Sequence, residues 1–191
     1  MFDFKLIILS APSGAGKTTV ARHLLASALN LGFSVSACSR PKREKEADGV
    51  DYHFLTADQF RKKIEEGAFL EWEEVYPDHF YGTLRAEVDR LSGLGHHVLF
   101  DVDVNGGLNI KKHYGNRALS VFIMPPSLEV LRERLEKRSS DSPEKIWMRL
   151  EKAQIEMSQA NLFDRIVVNK ELEQTLHDAF LLVKKFLDEQ A

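Results

Sequence analysis

The sequence predicts an α/β fold in three layers, with a parallel core sheet that carries helices on both faces. Three observations support this prediction. Short apolar segments of strand length alternate with segments of helical periodicity. A glycine-rich loop directly follows the first apolar segment and opens a helix. The chain has 191 residues, which is enough for one core and too short for two full independent domains.

The core elements follow in order along the chain. Residues 5–9 are almost all apolar, as expected of a strand buried on both faces of a parallel sheet. A helix is predicted over 17–31, because apolar side chains recur there at helical spacing and Gly32 follows them. Further core strands are predicted at 98–103, 119–124 and 165–168. The last helix carries a regular apolar stripe, formed by Leu172, Leu176, Phe180, Val183 and Leu187.

Two stretches interrupt this alternation. Residues 35–91 combine short strands, near 52–54 and 69–72, with a helix that begins at the capping-box sequence Thr56-Ala57-Asp58-Gln59. We interpret 35–91 as an inserted α+β subdomain. Residues 127–158 hold two arginine-rich helical segments joined by the polar connector 139–143, and we interpret them as a helical lid. The core then consists of 1–34, 92–126 and 159–191.

Composition narrows the possible classes of function. The chain is 43% hydrophobic and 29% charged, in the range of ordinary soluble globular proteins. A formal net charge of −3 gives no reason to expect a nucleic acid or a membrane surface as partner. The single cysteine, Cys38, excludes an internal disulfide framework. No apolar run approaches the roughly 20 residues of a membrane helix. We therefore expect a cytoplasmic enzyme or binding module.

The strongest motif is the phosphate-binding loop that joins the first strand to the first helix, Ala11-Pro12-Ser13-Gly14-Ala15-Gly16-Lys17-Thr18-Thr19. Its glycines let successive backbone N–H groups point at one centre, and the helix N-terminus adds positive potential. Lys17 is expected to reach the β- and γ-phosphates of a nucleoside triphosphate, and Thr18 to meet Mg²⁺. The usual motif begins with glycine, so alanine at position 11 requires a φ that is not positive. The alternative is a turn that binds nothing, which Lys-Thr-Thr in this context disfavours.

Beyond this loop, the chain resembles the guanylate kinases over nearly its whole length. The resemblance rests on six segments in the family's order, which are 34–54, 69–72, 81–83, 99–106, 125–127 with the arginines that follow, and 167–169. Each segment is weak alone, but their order and spacing together are specific. The resemblance implies a P-loop nucleoside-monophosphate-kinase fold. It also implies transfer of the γ-phosphoryl group of ATP, with Mg²⁺, to GMP, with dGMP as a further acceptor.

The resemblance also implies roles for residues of the acceptor site. The acceptor phosphate would be held by Ser36, Arg40, Arg43, Tyr52 and Tyr81. Planar arginine forks suit a phosphate dianion, although local sequence alone would make the two arginines a solvated basic turn. Two departures from the family pattern are Asn105, where glutamine is common, and a stretch at 75–82 that is one residue longer.

Guanine would be read, on the same resemblance, by Glu71, Thr83 and Asp103. A carboxylate can accept both the ring N–H and the exocyclic amine of guanine, and adenine offers no such donor pair. Asp101 would lie near Mg²⁺ and the phosphates. Independently of the resemblance, two aspartates at the end of an apolar strand require a partner or a ligand. For Glu71, an exposed strand carboxylate is an equal alternative from local sequence.

The lid segments supply the remaining candidates. Arg134 and Arg138 are four residues apart and so share one helix face. The resemblance assigns both, together with Arg149, Arg43 and Lys17, to the transferring phosphoryl group. From spacing alone, ordinary pairing with neighbouring glutamates is an equal alternative. Asn169 resembles the residue beside the adenine of ATP, and a plain turn former is nearly as good an interpretation.

Two rival functions remain. Guanylate-kinase-like modules of scaffolding proteins keep the fold and bind protein partners, but they typically lack the loop and lid groups present here. Ribose bisphosphate kinases of phosphonate metabolism share the framework but have no guanine to read. The presence of Glu71, Thr83 and Asp103 together argues against that second class.

Overall fold

The structure is a computed structural model that describes residues 3–138 and 142–189, without the side chain of Arg138. In chain order, its strands and longer helices are β1 (Leu6–Ser10), α1 (Lys17–Leu25), β2 (Leu31–Phe33), β3 (Ala37–Cys38), β4 (His53–Phe54), α2 (Ala57–Glu65), β5 (Phe69–Tyr76), β6 (His79–Leu84), α3 (Arg85–Gly93), β7 (His97–Asp101), α4 (Val104–Tyr114), β8 (Ala118–Met124), α5 (Leu128–Arg138), α6 (Pro143–Ser158), β9 (Arg165–Val168) and α7 (Leu172–Asp188).

A five-stranded sheet in the order β2-β7-β1-β8-β9 forms the centre, and every neighbouring pair in it is parallel. β1 is buried along its whole length. Its Ile7 and Leu9 face the layer of α1 and α7, whereas Leu6 and Ile8 face α3 and α4. This alternation fills both faces of the sheet with apolar side chains and confirms the predicted three-layer α/β fold. The strands predicted at 119–124 and 165–168 and the last helix are also present.

The helix predicted over 17–31 is wrong beyond Leu25. There α1 ends, and residues 31–33 instead form the edge strand β2, which pairs with β7. Gly32 lies in this strand and does not end a helix. A Cβ at Gly32 would lie 2.6 Å from Leu91 Cδ2 of α3. Glycine therefore lets α3 pack closely against the edge strand. A short apolar run cannot be assigned to helix or strand by periodicity alone.

The strand predicted at 98–103 is also too long, since β7 ends at Asp101. Asp103 is the N-cap of α4, where its carboxylate accepts the N–H of Gly106. Two helices, α3 and α4, were not predicted. The two glycines in the first turn of α4 lower its helix propensity, but they admit close neighbours. A Cβ at Gly107 would lie 2.7 Å from Ser10 Oγ in β1.

A second, mixed sheet in the order β4-β3-β6-β5 is built within the predicted insertion. Its core is aromatic, with Phe60 of α2 stacked on Phe69 at 4.3 Å and on Phe80 at 5.3 Å between ring centroids. The predicted capping box at the start of α2 is present. The longer stretch at 75–82 lies in the β5–β6 hairpin, whose pairing register shifts between Glu74 and Tyr76.

Helices α5 and α6 form the pair predicted as a lid. They pack on each other through Leu131, Leu135 and Ala153. Part of the connector, Ser139 to Asp141, lies outside the described residues. Among the helices that the structure describes, none has both the length and the apolar character required to cross a lipid bilayer.

Candidate active site

The phosphate-binding loop leaves the carboxyl end of β1 and ends at the first turn of α1. Gly14 and Gly16 have φ of 91° and 101°, which is the left-handed region that favours glycine. The Ala15 N–H donates to the Pro12 carbonyl at 3.0 Å and closes the loop. Ala11 is buried and does not take a positive φ. Alanine therefore occupies the first position of the motif without backbone strain.

Lys17 is held by groups at the carboxyl end of the neighbouring strand β7. Its Nζ lies 2.5 Å from Asp101 Oδ1 and 2.8 Å from the Val102 carbonyl oxygen. The residues of the loop, apart from the buried Ala15, line a cavity of about 450 Å³ together with Asp101. Mg²⁺ is commonly bound by one or two carboxylates plus substrate phosphates. The Thr18 hydroxyl and the Asp101 carboxylate have the oxygen chemistry that this ion requires.

A second cavity of about 230 Å³ adjoins the first. The β5–β6 hairpin lines one side of it, and the residues that line both cavities are Lys17, Ser36, Tyr52, Asp101 and Asp103. The two cavities therefore share a wall at the carboxyl ends of the central strands. In open α/β sheets this edge is where ligands bind.

Glu71 points into the second cavity and is oriented by its neighbours. Thr83 Oγ1 donates to Glu71 Oε1 at 2.6 Å. Burial, together with the charges of Asp103 and Glu73, raises the pKa of Glu71 to about 7, while the hydrogen bond from Thr83 opposes this rise. A Cβ at Gly106 would lie 2.9 Å from Glu71 Oε2. The three predicted base-reading residues, Glu71, Thr83 and Asp103, are thus brought together at one corner.

Glu73 also lines this cavity, and the sequence argument missed it. Its hydrogen bond with Asp103, followed by burial, raises the pKa of Glu73. The sequence could have identified Glu73, because residues two apart on a strand share one face. Once Glu71 is placed in the pocket, Glu73 on β5 belongs on the same side.

Of the five residues predicted to hold the acceptor phosphate, Ser36, Tyr52 and Tyr81 line the second cavity. The rings of Tyr52 and Tyr81 meet edge to face with centroids 6.0 Å apart. Arg40 and Arg43 do not line either cavity. The guanidinium of Arg40 lies 5.0 Å from the centre of the Tyr52 ring.

Glu46 organises the two arginines of this turn. Its two carboxylate oxygens accept from Arg40 at 2.7 and 2.6 Å, and one of them also accepts the backbone N–H of Arg43 at 2.9 Å. The hydrogen bonds from Arg40 hold the pKa of Glu46 at about 2. The side chain of Arg43 is exposed. Glu46 therefore holds Arg40 beside the tyrosine pair and fixes the backbone at Arg43.

Of the predicted lid arginines, Arg134 and Arg149 do not line the two cavities. Arg134 donates to the carbonyl oxygen of Asn169 at 2.9 Å. Arg149 lies on the exposed side of α6, and the side chain of Arg138 lies outside the described part of the chain. Glu156 of α6 does line the loop cavity, where burial raises its pKa. No motif in the sequence pointed to Glu156.

Asn169 lies directly after β9 and is buried. Its Nδ2 donates to the Ala15 carbonyl at 2.7 Å, and its Oδ1 accepts from Thr175 Oγ1 at 3.2 Å. The side chain thus connects the end of β9 to the phosphate-binding loop. Thr175, which the sequence argument also missed, lies beside the amide, and its hydroxyl is closest to the Glu171 carbonyl, at 2.8 Å.

Comparison with known proteins places this geometry in context. The family described as "Guanylate kinase" matches residues 3–189. The chain is 53% identical to the guanylate kinase of Bacteroides fragilis over 185 residues, which cover 97% of this chain and 91% of that one. It is 50% identical to the guanylate kinase of Porphyromonas gingivalis, over 96% of this chain and 98% of that one. The crystal structure of guanylate kinase from Anaplasma phagocytophilum matches with a TM-score of 0.78 at 28% identity, covering 100% of this chain and 89% of that one.

Proposed function

Because the chain belongs to the guanylate kinase family and its reaction is the phosphorylation of GMP, we propose that the two adjoining cavities hold ATP and GMP, respectively. The observation that carries this proposal is the shared wall of the cavities at Lys17, Asp101 and Asp103. ATP in the first cavity and GMP in the second would bring their phosphates together beside these three residues. We assign 35–91 as the acceptor-binding subdomain and 127–158 as the lid.

On the donor side, the backbone N–H groups of the loop bind the ATP phosphates. Lys17 exchanges its carboxylate partner for phosphate oxygens, which frees Asp101. Thr18 and Asp101 would hold Mg²⁺, which when bound would neutralise part of the phosphate charge. Asn169 fixes the loop from behind through the Ala15 carbonyl, and so belongs to the ATP side.

On the acceptor side, the ionised carboxylate of Glu71 accepts the ring N–H and the exocyclic amine of guanine. Thr83 fixes the orientation of that carboxylate, and Asp103 completes the corner. The GMP phosphate is bound by Ser36, Tyr52 and Tyr81, and by the arginines at 40 and 43. We propose dGMP as a further acceptor, since no step assigned here uses the 2′-hydroxyl.

The transfer step depends on positioning and charge. The acceptor phosphate is already anionic, so the protein supplies no general base. A loose transition state spreads negative charge over the transferring oxygens. Lys17 and the arginines at 43, 134, 138 and 149 stabilise that charge when the lid closes. Closure also excludes water, which would otherwise compete as the acceptor.

An acceptor panel tests the assignment of the second cavity. ADP release is measured with ATP and GMP, dGMP, AMP or a sugar phosphate, and we expect GMP and dGMP to be the efficient acceptors. Comparable rates with an acceptor that has no base would overturn the base-reading role of Glu71, Thr83 and Asp103.

Substitution of the loop lysine tests the donor site. Lys17→Ala should lower kcat by at least about 10²- to 10³-fold, since removing one preorganised charge-stabilising donor costs that much. Lys112→Ala, an exposed position on α4, is the matched control and should keep full activity. Circular dichroism and thermal unfolding verify that both variants fold. Near-wild-type turnover of folded Lys17→Ala would contradict the loop assignment.

A further inference from the structure

A third cavity lies between the acceptor site and the lid helix α6. It has a volume of about 420 Å³ and is partly open to solvent. Its first wall carries Glu73 of β5 and the start of α4, from Asp103 to Asn105. Its second wall is one face of α6. We call this cavity the lid cleft.

The face of α6 that lines the lid cleft has an unusual exposed composition. Met148, Lys152 and Ile155 share this face at helical spacing, and Met148 and Ile155 are 59% and 62% exposed. The opposite face of α6 packs on α5 through Ala153. Covering two large apolar side chains is favourable by the hydrophobic effect. Val104, at the start of α4, also lines the cleft but is only 3% exposed.

Acidic side chains outnumber basic ones among the described residues that line the lid cleft. Among the described residues that line it, Lys152 is the single cation beside four carboxylates, those of Glu73, Asp103, Glu151 and Glu156. Lys152 makes a 3.9 Å ion pair with Glu156 on its own helix and remains 65% exposed. Its charge also reaches Glu73 across the cleft, where it opposes the effect of Asp103 on the pKa of that carboxyl.

We propose that Glu73 and Lys152 form a latch pair that holds α6 closed over the bound acceptor. Glu73 is placed for this role because it lines both the acceptor cavity and the lid cleft. Closure brings the Lys152 ammonium to Glu73 and covers Met148 and Ile155 against the start of α4. Both members are positioning residues, since they keep the lid in place during phosphoryl transfer. This inference rests on the proposed function, because the pocket that the latch closes is the proposed GMP site.

A double-mutant cycle tests the latch. Glu73→Gln, Lys152→Gln and the double variant are compared with wild type for kcat/KM with GMP and for KM with ATP. Each single variant should lose about five- to tenfold in kcat/KM for GMP, and the double variant should lose no more than either single one. Neutralising either member already breaks the pair. An open lid should also raise the ratio of ADP to GDP formed, because water enters the site.

Matched controls occupy the same two elements. Glu74→Gln changes the neighbouring exposed carboxylate of β5, and Lys145→Gln changes an exposed lysine of α6 outside the lid cleft. Both should keep wild-type kinetics, and their combined variant should show no coupling. Thermal unfolding of all variants separates a loss of latch from a loss of fold.

The position of α6 can be followed directly. The chain has two tryptophans, and Trp147 is next to the cleft-facing Met148 and 60% exposed. In a Trp72→Phe background, Trp147 fluorescence should change on addition of GMP with a non-hydrolysable ATP analogue. That change should be several-fold weaker when Lys152→Gln is added.

Distinct outcomes separate the latch from its premise. Wild-type protein that does not phosphorylate GMP would remove the proposed function itself. An active wild type in which the two single losses multiply in the double variant would overturn the latch. A loss confined to Glu73→Gln, together with a changed preference between GMP and IMP, would also overturn it, because Glu73 would then contact the purine directly.

Discussion

The site places two opposing requirements on the carboxyl group of Glu71. Its carboxylate must be ionised to accept two N–H groups of guanine, but burial beside Asp103 and Glu73 raises its pKa to about 7. In the empty pocket, part of the Glu71 population is therefore protonated near neutral pH. Guanine supplies the donors that the buried charge lacks. Binding of the base and ionisation of Glu71 are thus coupled.

This coupling predicts a pH dependence of the reaction. Because a raised pKa leaves less ionised Glu71 as the pH falls, kcat/KM for GMP should drop roughly tenfold between pH 8 and pH 6. The phosphate of GMP also titrates near pH 6, so the substrate contributes its own slope. Glu71→Gln supplies the baseline, since it should be poorly active and retain only that slope. Identical pH profiles for the two proteins would remove Glu71 from the base-reading role.

Gly106 offers a second test at the residue scale. Alanine there would place a Cβ 2.9 Å from Glu71 Oε2 and 3.2 Å from Asp103 Oδ1. Both carboxylates would have to shift, so KM for GMP should rise at least about tenfold, as expected for sub-ångström displacement of binding groups. KM for ATP should change little.

Gly93 provides the control for this substitution. A Cβ at Gly93, in α3, meets no atom within 4 Å, and its φ is not positive. Gly93→Ala should leave both KM values unchanged and raise stability slightly, because alanine is the better helix former. Equal effects of the two substitutions on GMP binding would contradict the tight corner at Glu71.

Sequence patterns predicted those elements whose formation depends on residues close together in the chain. The loop, the capping box of α2 and the strands β8 and β9 follow from residues that are adjacent in sequence. The short strand β2 and the glycine-interrupted helix α4 could not be predicted in this way. In both elements tertiary packing requires glycine, at Gly32 against Leu91 and at Gly107 against Ser10. Such contacts join residues about 60 to 100 positions apart and produce no periodic pattern in the sequence.

The site shows the same division. Motif resemblance located Glu71, Thr83 and Asp103, but it did not indicate that Glu46 holds Arg40 or that Asn169 holds the loop at Ala15. Glu46 stands in the resembling segment 34–54, but the resemblance gave it no role. The contact of Asn169 depends on how β9 meets the loop, which the spacing of a single sequence does not encode.

The contact between β9 and the loop leads to a prediction about Asn169. Asn169→Ala leaves the buried Ala15 carbonyl without its donor, so the free energy of unfolding should fall by about 1–3 kcal/mol. The loop would also lose its support, so KM should rise equally for ATP and for GTP as donor. Asn109→Ala, an exposed position on α4, controls for loss of an amide. A rise confined to ATP would mean that Asn169 contacts adenine instead.

At the scale of the whole molecule, the two ends of the central sheet have different properties. The carboxyl ends of the strands carry the site, with its crowded carboxylates. The opposite end is tied together by Lys5, whose backbone N–H donates to His97 Nδ1 at 2.9 Å and whose Nζ donates to the Phe186 carbonyl at 2.8 Å. These bonds join β1, β7 and α7 far from the site. Stability and activity should therefore respond to different substitutions.

His97 makes this separation measurable. Burial, and then the charge of Lys5, lowers the pKa of His97 below 6.5. The unfolded chain thus binds a proton more readily, and the free energy of unfolding should fall as the pH drops below about 6.5.

Gln at position 97 keeps an acceptor but does not titrate, so His97→Gln should lose less stability than wild type between pH 7 and pH 5 in urea unfolding. The ionisation of Glu71 is common to both proteins and cancels in their difference. His96→Gln controls for removal of a neighbouring imidazole, and kcat at pH 8 should be unchanged in both variants. Parallel stability curves for wild type and His97→Gln would show that the bond to Lys5 does not couple folding to pH.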